Sequence, residues 1–398
     1  MPSRVPKIAV LLPPAPQPNV VAGALSLVRS LSEECGVRVA VGLPRTAVDD
    51  WENMASCFRA SVMSVSVRTL TWTELPRDVV IRMFGSDLDV PSEVSSIQVP
   101  HDRAWSFADC SGWILFGDTT LGATAWLRPA IVVAPQLAER YTPAFAGQQD
   151  VERRIDTFLS WRSARAVLGT TVADRRDLVS YAGMHPDRVR PRPPFDDVSP
   201  STGDQVTPAM DSPAIIWHPA YPWPAPATSA AIAWREYLET GGRLQLLIVG
   251  RHADAVASAP SVSSILDDCS RIGGRWHTRS ILPGRRLDRL LDRARILWNP
   301  TVADDSHWLV ARSLARGIPA VVADAPHMRD GLQGDITSIP TLWTYPAHDT
   351  VAAAAALSAA STAPTVKGAP LLPLRPDFTP AVSWRETLDA LRLHASDA

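Results

Sequence analysis

The chain has 398 residues, 46% hydrophobic and 20% charged, which is too long for one ordinary domain and enough apolar material for two buried cores. Its formal net charge of -2 excludes a whole-surface attraction to nucleic acid or anionic lipid. Lysine occurs only at Lys7 and Lys367, so almost all the basic charge is arginine. The four cysteines, Cys35, Cys57, Cys110 and Cys269, show no CxxC and no metal-ligand spacing, and read as reduced structural thiols of a cytoplasmic protein. The first residues lack a cationic segment followed by a long apolar run, and no stretch reaches the roughly 18 apolar residues of a membrane span.

In chain order, Lys7-Ile-Ala-Val-Leu-Leu12 is an apolar run stopped by Pro13-Pro14, as expected of a strand buried on both faces. A Pro-rich loop containing Gly23 follows, and Ala24 to Glu34 carries Leu25, Val28 and Leu31 at helical spacing. Gly36 closes this helix and Val37 to Val41 is the next strand, giving a βαβ unit and hence a parallel sheet. Val79–Phe84, Ser96–Val99, Trp113–Phe116, Ile131–Val133 and Ala164–Gly169 read as further strands, with a helix from Val172 to Tyr181. The polar, Pro-rich stretch Asp196–Pro208 interrupts all periodicity and reads as an interdomain linker.

A second βα series starts at Pro213–Trp217 and continues through the helix Ser229–Glu239, the strand Leu244–Val249, a short strand at Trp276–Ser280 and the helix Leu287–Ala294. It goes on with the strand Arg295–Trp298, the helix His307–Arg316 and the strand Ala320–Ala323. The Ala-rich run Val351–Ala360 reads as a helix, and Ser383-Trp-Arg-Glu386 is a capping box opening a last helix to about Leu393. Two such halves place a ligand at the carboxyl ends of the strands, in the cleft between them.

Within this order, Leu287 to Asp324 reads LDRLLDRARILWNPTVADDSHWLVARSLARGIPAVVAD. It resembles the carboxyl-terminal signature of the retaining, GT4-like glycosyltransferases: a helix, a strand ending near Pro300, an acidic loop, a helix ending Ala315-Arg-Gly317, then Pro319 and a strand. Val167–Asp174 followed by Gly183–Val189, and the first strand, loop and helix, are similar to first-domain segments of the same family. The resemblance implies an α/β chain of GT-B type, two Rossmann-like domains facing across a cleft. Residues 1–195 would form the first, acceptor domain, 196–212 the linker, 213–380 the nucleotide-sugar donor domain, and 381–398 a helix returning toward the first domain.

The sequence departs from the family's acidic pair, a Glu followed by seven residues and another Glu. Counted from Gly317, the two positions hold Asp304 and Arg312. Asp304 keeps acceptors for sugar hydroxyls, whereas a guanidinium has none to offer the nucleotide ribose. A position where the family often has Gly holds His307, and the family's basic pair after the first strand of the second domain has no counterpart in His218–Ser229.

Without a metal, a departing nucleoside diphosphate must be stabilised by cations and by amides at a helix N-terminus. Asp305-Ser306-His307-Trp308 stands where such a helix begins, so these amides and the Ser306 hydroxyl are donor-binding candidates, with capping as the plainer role of Ser306. Arg251, Arg279, Arg285 and Arg286 follow strand ends and are candidates for the missing basic pair or solvated surface groups. His101 follows a strand at a place where the family has a His facing sugar or acceptor, though it can also bond locally to Asp102. Gly23 would let the first loop approach the donor phosphate, or serves only a turn. His101 and Asp304 are thus the catalytic candidates; Gly23, Arg251, Arg279, Ser306, His307, Trp308 and Arg312 are the donor-binding set.

Asp87-Leu-Asp89 matches the short metal-binding motif of GT-A enzymes but reads equally as a turn, so no metal is expected. No GxGxxG follows the first strand, and neither a Walker-type loop nor a GxSxG elbow occurs. His185, His218 and His327 stand beside prolines and read as surface groups. The expected activity is transfer of a sugar from a nucleoside diphosphate sugar, of GDP or UDP type, to a small soluble acceptor of specialised metabolism, with retention and without further cofactor. The alternative is a non-catalytic GT-B partner or binding protein that has lost donor-site residues. The partners implied are the nucleotide sugar and a small-molecule acceptor, with neither nucleic acid nor a membrane span, and with a homodimer left open.

Overall fold

The computed structural model describes residues 5–14, 16, 18–45, 48–62, 65–85, 92–100, 107–117, 122–135, 137, 140–141, 148–192, 213–219, 224–250, 253–279, 285–301, 307–332, 339–363 and 384–389. The chain forms two compact units. Met1–Leu137, Ala146–Thr202 and Phe378–Ala398 make the first, and Ala138–Phe145 with Gly203–Asp377 the second. The expected linker, Asp196–Pro208, lies outside the described residues.

The first unit contains β1 (Lys7–Leu11), α1 (Pro18–Glu33), β2 (Arg38–Pro44), α2 (Val48–Ser61), β3 (Ser66–Leu70), β4 (Trp72–Pro76) and α3 (Arg77–Phe84). It continues with β5 (Ser96–Pro100), β6 (Gly112–Phe116), β7 (Ala130–Val133), α4 (Gln148–Ser163), β8 (Ala166–Gly169), α5 (Val172–Ser180) and β9 (Val189–Pro191). Seven strands form one parallel sheet in the order β3-β2-β1-β6-β7-β8-β9, while β4 and β5 pair antiparallel beside it.

The two-sided burial of the central strands explains their unbroken apolar runs. Alternate residues of β1 serve opposite faces. Ile8 and Val10 join Leu25 and Val28 of α1 in one core, and Ala9 and Leu11 join Trp113, Leu115 and Trp161 in another.

Val79–Phe84 belongs to helix α3, which corrects the strand expected there. Its Val-Val-Ile run carries strand propensity, but the local ends favour a helix. Pro76 stands at the N-cap, Asp78 lies in the first turn, and Gly85, at φ 101°, donates its N–H to Ile81 O. Gly23 is likewise not in a loop. It is a buried residue inside α1, because that helix begins six residues earlier than its apolar spacing suggests, at Pro18.

The second unit contains β10 (Ala214–Trp217), α6 (Pro224–Glu239), β11 (Gln245–Val249), α7 (Ala253–Ser258), α8 (Pro260–Arg271), β12 (Trp276–Arg279) and α9 (Arg285–Leu291). Then follow β13 (Ala294–Asn299), α10 (His307–Ala315), β14 (Ala320–Asp324), α11 (Pro326–Leu332), β15 (Leu342–Pro346) and α12 (Thr350–Thr362). The strands pair parallel in the order β12-β11-β10-β13-β14-β15. Numbered within this sheet, that is 3-2-1-4-5-6, the doubly wound order that reverses direction between β10 and β13.

Its core is built around Trp217 and Trp298, whose ring centroids are 5.9 Å apart. Trp298 Nε1 donates to the buried Tyr345 hydroxyl at 3.2 Å, and desolvation pushes that phenol well above its ordinary pKa. Arg295 donates to Ser361 O at 3.0 and 2.8 Å, tying the start of β13 to the end of α12. The last helix, α13 (Trp384–Asp389), sits in the first unit: Trp384 and Leu388 join the core around Leu25, and Arg385 donates to Glu34 O at 2.8 Å. Ser383, the expected cap, lies outside the described residues.

Candidate functional site

In an open parallel sheet, ligands bind beyond the carboxyl ends of the strands where the winding direction reverses. In the second unit that place is set by β10 and β13, ending at Trp217 and Asn299. The chain leaving β13 is the segment carrying Asp304 and Ser306. Its exit is fixed by the buried Asn299, 3% exposed, whose Oδ1 accepts the N–H of Thr301 at 3.0 Å in an Asx turn. Helix α10 then starts at His307 and returns along β13 and β14. Leu309, Val310, Ala311 and Leu314 bury its inner face.

The family-like Ala-x-Gly ending of α10 has a direct cause. Gly317 adopts φ 71°, its N–H bonds Leu314 O, and Ile318 N–H bonds Ser313 O at 3.1 Å, a glycine-capped stop that turns the chain into β14.

Two candidates, His307 and Trp308, are the first residues of α10. Arg312 lies on the same helix, half-buried in its last turn and about 7.5 Å further along the axis. Asp304, Ser306, Arg251 and His101 lie outside the described residues, as do Asp87 and Asp89. Arg279 ends β12 and is exposed, donating through Nη1 to Thr278 O at 3.0 Å. However, β12 is three strands from β13, or about 14 Å at ordinary strand spacing, so Arg279 stands on an edge strand away from the β10/β13 reversal. Gly23, buried within α1, is not in a loop that could approach a phosphate.

A residue read as a surface group sits at the switch itself. His218 follows β10 directly, is half-buried, and packs its ring on Gly250 at the end of β11. A Cβ at position 250 would stand 3.2 Å from His218 Nε2 and 3.3 Å from its Cδ2, and Gly250 has φ +130°. Only glycine lets the imidazole lie there. His327 also differs from its sequence reading: it is 2% exposed, in α11, with Tyr141 meeting it edge-on at 5.0 Å between ring centroids. His185 is exposed. Neither His218 nor His327 carries a sequence signal beyond its neighbouring proline; contacts with Gly250 and Tyr141, distant in the chain, set their surroundings.

The remaining electrostatics are structural. Asp324, at the end of β14, accepts from Nε and Nη2 of Arg329 on α11. None of the four cysteines is in a disulfide, and burial pushes the Cys110 and Cys269 thiols up to about 11, which keeps them unreactive at neutral pH. Among the described residues no group of three or more His, Cys, Asp and Glu could hold a metal, and no helix is long and apolar enough to cross a membrane.

No protein-family model and no curated protein matches the chain by sequence. Solved structures do match it in fold. A glycosyltransferase from Rickettsia africae aligns over 90% of this chain and 88% of its own, with TM-score 0.55 and 8% identity. The Anabaena protein Alr3699/HepE, solved with UDP and glucose, covers 89% and 93%, with TM-score 0.52 and 13% identity. A Listeria monocytogenes protein named as a UDP-N-acetylglucosamine 2-epimerase covers 93% and 94%, with TM-score 0.52 and 14% identity. At these identities the likeness is one of fold, and with two parallel Rossmann-like sheets aligned over nearly the whole chain, this protein has the GT-B glycosyltransferase fold.

Proposed function

We propose that this protein is a glycosyltransferase that moves a sugar from a nucleoside diphosphate sugar, of UDP or GDP type, to a small soluble acceptor, with retention and without a metal. The observation that carries the reading is the β10/β13 reversal of the second sheet, with the buried Asn299 turning the chain into the Asp304–His307 segment. The UDP and glucose bound to the Anabaena protein of like fold support a donor of this class. In this reading the second unit takes the donor and the first the acceptor, in the cytoplasm, as a monomer or homodimer, within specialised metabolism.

The chemistry follows from charge. As the glycosidic bond breaks, negative charge grows on the diphosphate, and the first amides of α10, the Ser306 hydroxyl and Arg251 are the groups to meet it. Asp304 accepts hydrogen bonds from sugar hydroxyls and His101 faces the sugar or acceptor. Arg312 brings a positive charge where the resembled family holds a ribose acceptor, so recognition of the nucleoside rests on other groups.

The same Arg312 favours a second reading, a binding protein that keeps the fold without turnover. Thermal melts with UDP and GDP test the first requirement. At about 100 times its dissociation constant a nucleotide stabilises by about 2.7 kcal/mol, and a melt unmoved by either nucleotide would overturn the donor site. A nucleotide-driven shift with no transfer from UDP- or GDP-sugars to an acceptor panel would establish the binding protein. Conversion of the sugar nucleotide without acceptor would assign epimerisation instead.

A further inference from the structure

The first unit carries a concavity that the donor reading does not use. It has a volume of about 510 Å³ and is lined by Arg162, Gly183, His185, Asp187 and Arg188. Arg162 and Ala164 precede β8, and Arg188 precedes β9, so the concavity lies where these parallel strands begin. The ligand edge of a doubly wound sheet is the opposite one.

Both guanidiniums are held in place by backbone. Arg188 Nη1 donates to Arg162 O and, at 3.4 Å, to Ala164 O; Arg162 Nη2 donates to Ala182 O at 3.2 Å. Gly183 provides the floor for the second of these. The residue adopts φ +69°, which favours glycine, and a Cβ there would stand 2.5 Å from Arg162 Nη2 and displace the guanidinium. A guanidinium has five N–H donors, and these bonds engage one nitrogen of each.

Among the described residues neither arginine makes an ion pair. The wall carries one acid, Asp187, whose carboxylate lies 3.6 Å from His185 Nδ1. His185 Nδ1 accepts the N–H of Asp187 at 3.3 Å, which leaves the ring proton on Nε2 as a further donor. Two anchored, unneutralised forks and an imidazole N–H on one concave wall suit an oxyanion of phosphate geometry.

We propose that this concavity is a binding site for a phosphate-bearing small molecule, contacted by Arg162, Arg188 and His185. It is independent of the donor reading, since no residue is shared. Both arginines are solvent-exposed, so affinity falls with ionic strength.

The test is a thermal melt of the full chain in inorganic phosphate against chloride at matched ionic strength, followed by the same titration on Arg162→Gln, Arg188→Gln, Arg188→Lys and His185→Ala. The expected result is a saturable shift in the natural protein. It weakens at least about tenfold in each arginine-to-glutamine variant, and nearly as much in Arg188→Lys, which keeps the charge but not the fork. The exposed His185→Ala variant, which removes one bond from the Asp187 N–H and leaves both arginine anchors, is expected to fold normally and to weaken phosphate less. Vesicles of phosphatidylglycerol against phosphatidylcholine separate the sources: retention lost in the variants assigns a lipid headgroup, and no retention assigns the free anion. A natural protein whose melt does not distinguish phosphate from chloride would overturn the site without recourse to any variant. So would a shift that survives all four substitutions.

Discussion

Asp304, Arg312 and Asp109 carry predictions of different kinds. If Asp304 orients the transferred sugar, Asp304→Ala removes a charged acceptor, and kcat/KM for transfer should fall at least about tenfold. Arg312→Glu asks whether the half-buried arginine on α10 has been recruited to the phosphates. Recruitment predicts a severe loss of nucleotide affinity on charge reversal, and a purely structural role predicts unchanged or tighter binding, so titrating UDP and GDP against the variant separates the two.

Asp109 is structural. Its carboxylate accepts from Arg68 at 2.7 and 2.9 Å and from Lys7 at 2.7 Å, and these bonds, Arg68 first, hold it well below the usual carboxylate range. A folded pKa below the unfolded value of about 3.9 means stability present above that value and lost as pH falls toward the folded one. Asp109→Asn should therefore narrow the gap between urea midpoints at pH 7 and pH 3, and an unchanged gap would refute the assignment. Of the candidate residues, Asp304 and Arg312 were singled out by sequence spacing. Asn299 and His218 were not, because an Asx turn and a ring against a glycine are marked by no periodicity.

At the level of elements, continuous apolar runs were the most legible feature: β1, β6, β10, β11 and β14 all stand where such runs occur. The strand expected at Val79–Phe84 failed because composition alone does not weigh the helix ends at Pro76 and Gly85. Helix α5 shows the reverse case, with its start written locally. Thr171 Oγ1 accepts from Asp174 N at 3.0 Å, and Asp174 Oδ2 accepts from Thr171 N at 2.8 Å. That carboxylate occupies the helix N-terminus, so α5 offers no anion site. Helix α13 depends on packing, since its six residues are too few to be stable alone. Trp384, 2% exposed in the first unit's core, is expected to cost about 3–5 kcal/mol on substitution by alanine, read as a lower denaturation midpoint.

For the whole molecule, the absence of a convincing acidic or Cys/His cluster in the sequence leads to a prediction about turnover. Sugar transfer should be unaffected by a chelator, whereas loss in chelator restored by manganese or magnesium would bring Asp87 and Asp89 into the site. By itself the sequence determined that the chain is a βα repeat in two halves with parallel sheets, because strands buried on both faces must be apolar without a break. It also marked the Leu287–Asp324 segment, since a helix ended by a left-handed glycine leaves the local pattern Ala-x-Gly. Only the tertiary structure decided the strand order, and with it that β10 and β13 are neighbours while Arg279 stands on the far edge strand. It alone decided that His327 is buried beneath Tyr141, and that Arg162 and Arg188 share one wall. The reason is physical: pairing and burial join residues tens to hundreds of positions apart, and their energies depend on which surfaces meet rather than on what either segment prefers alone.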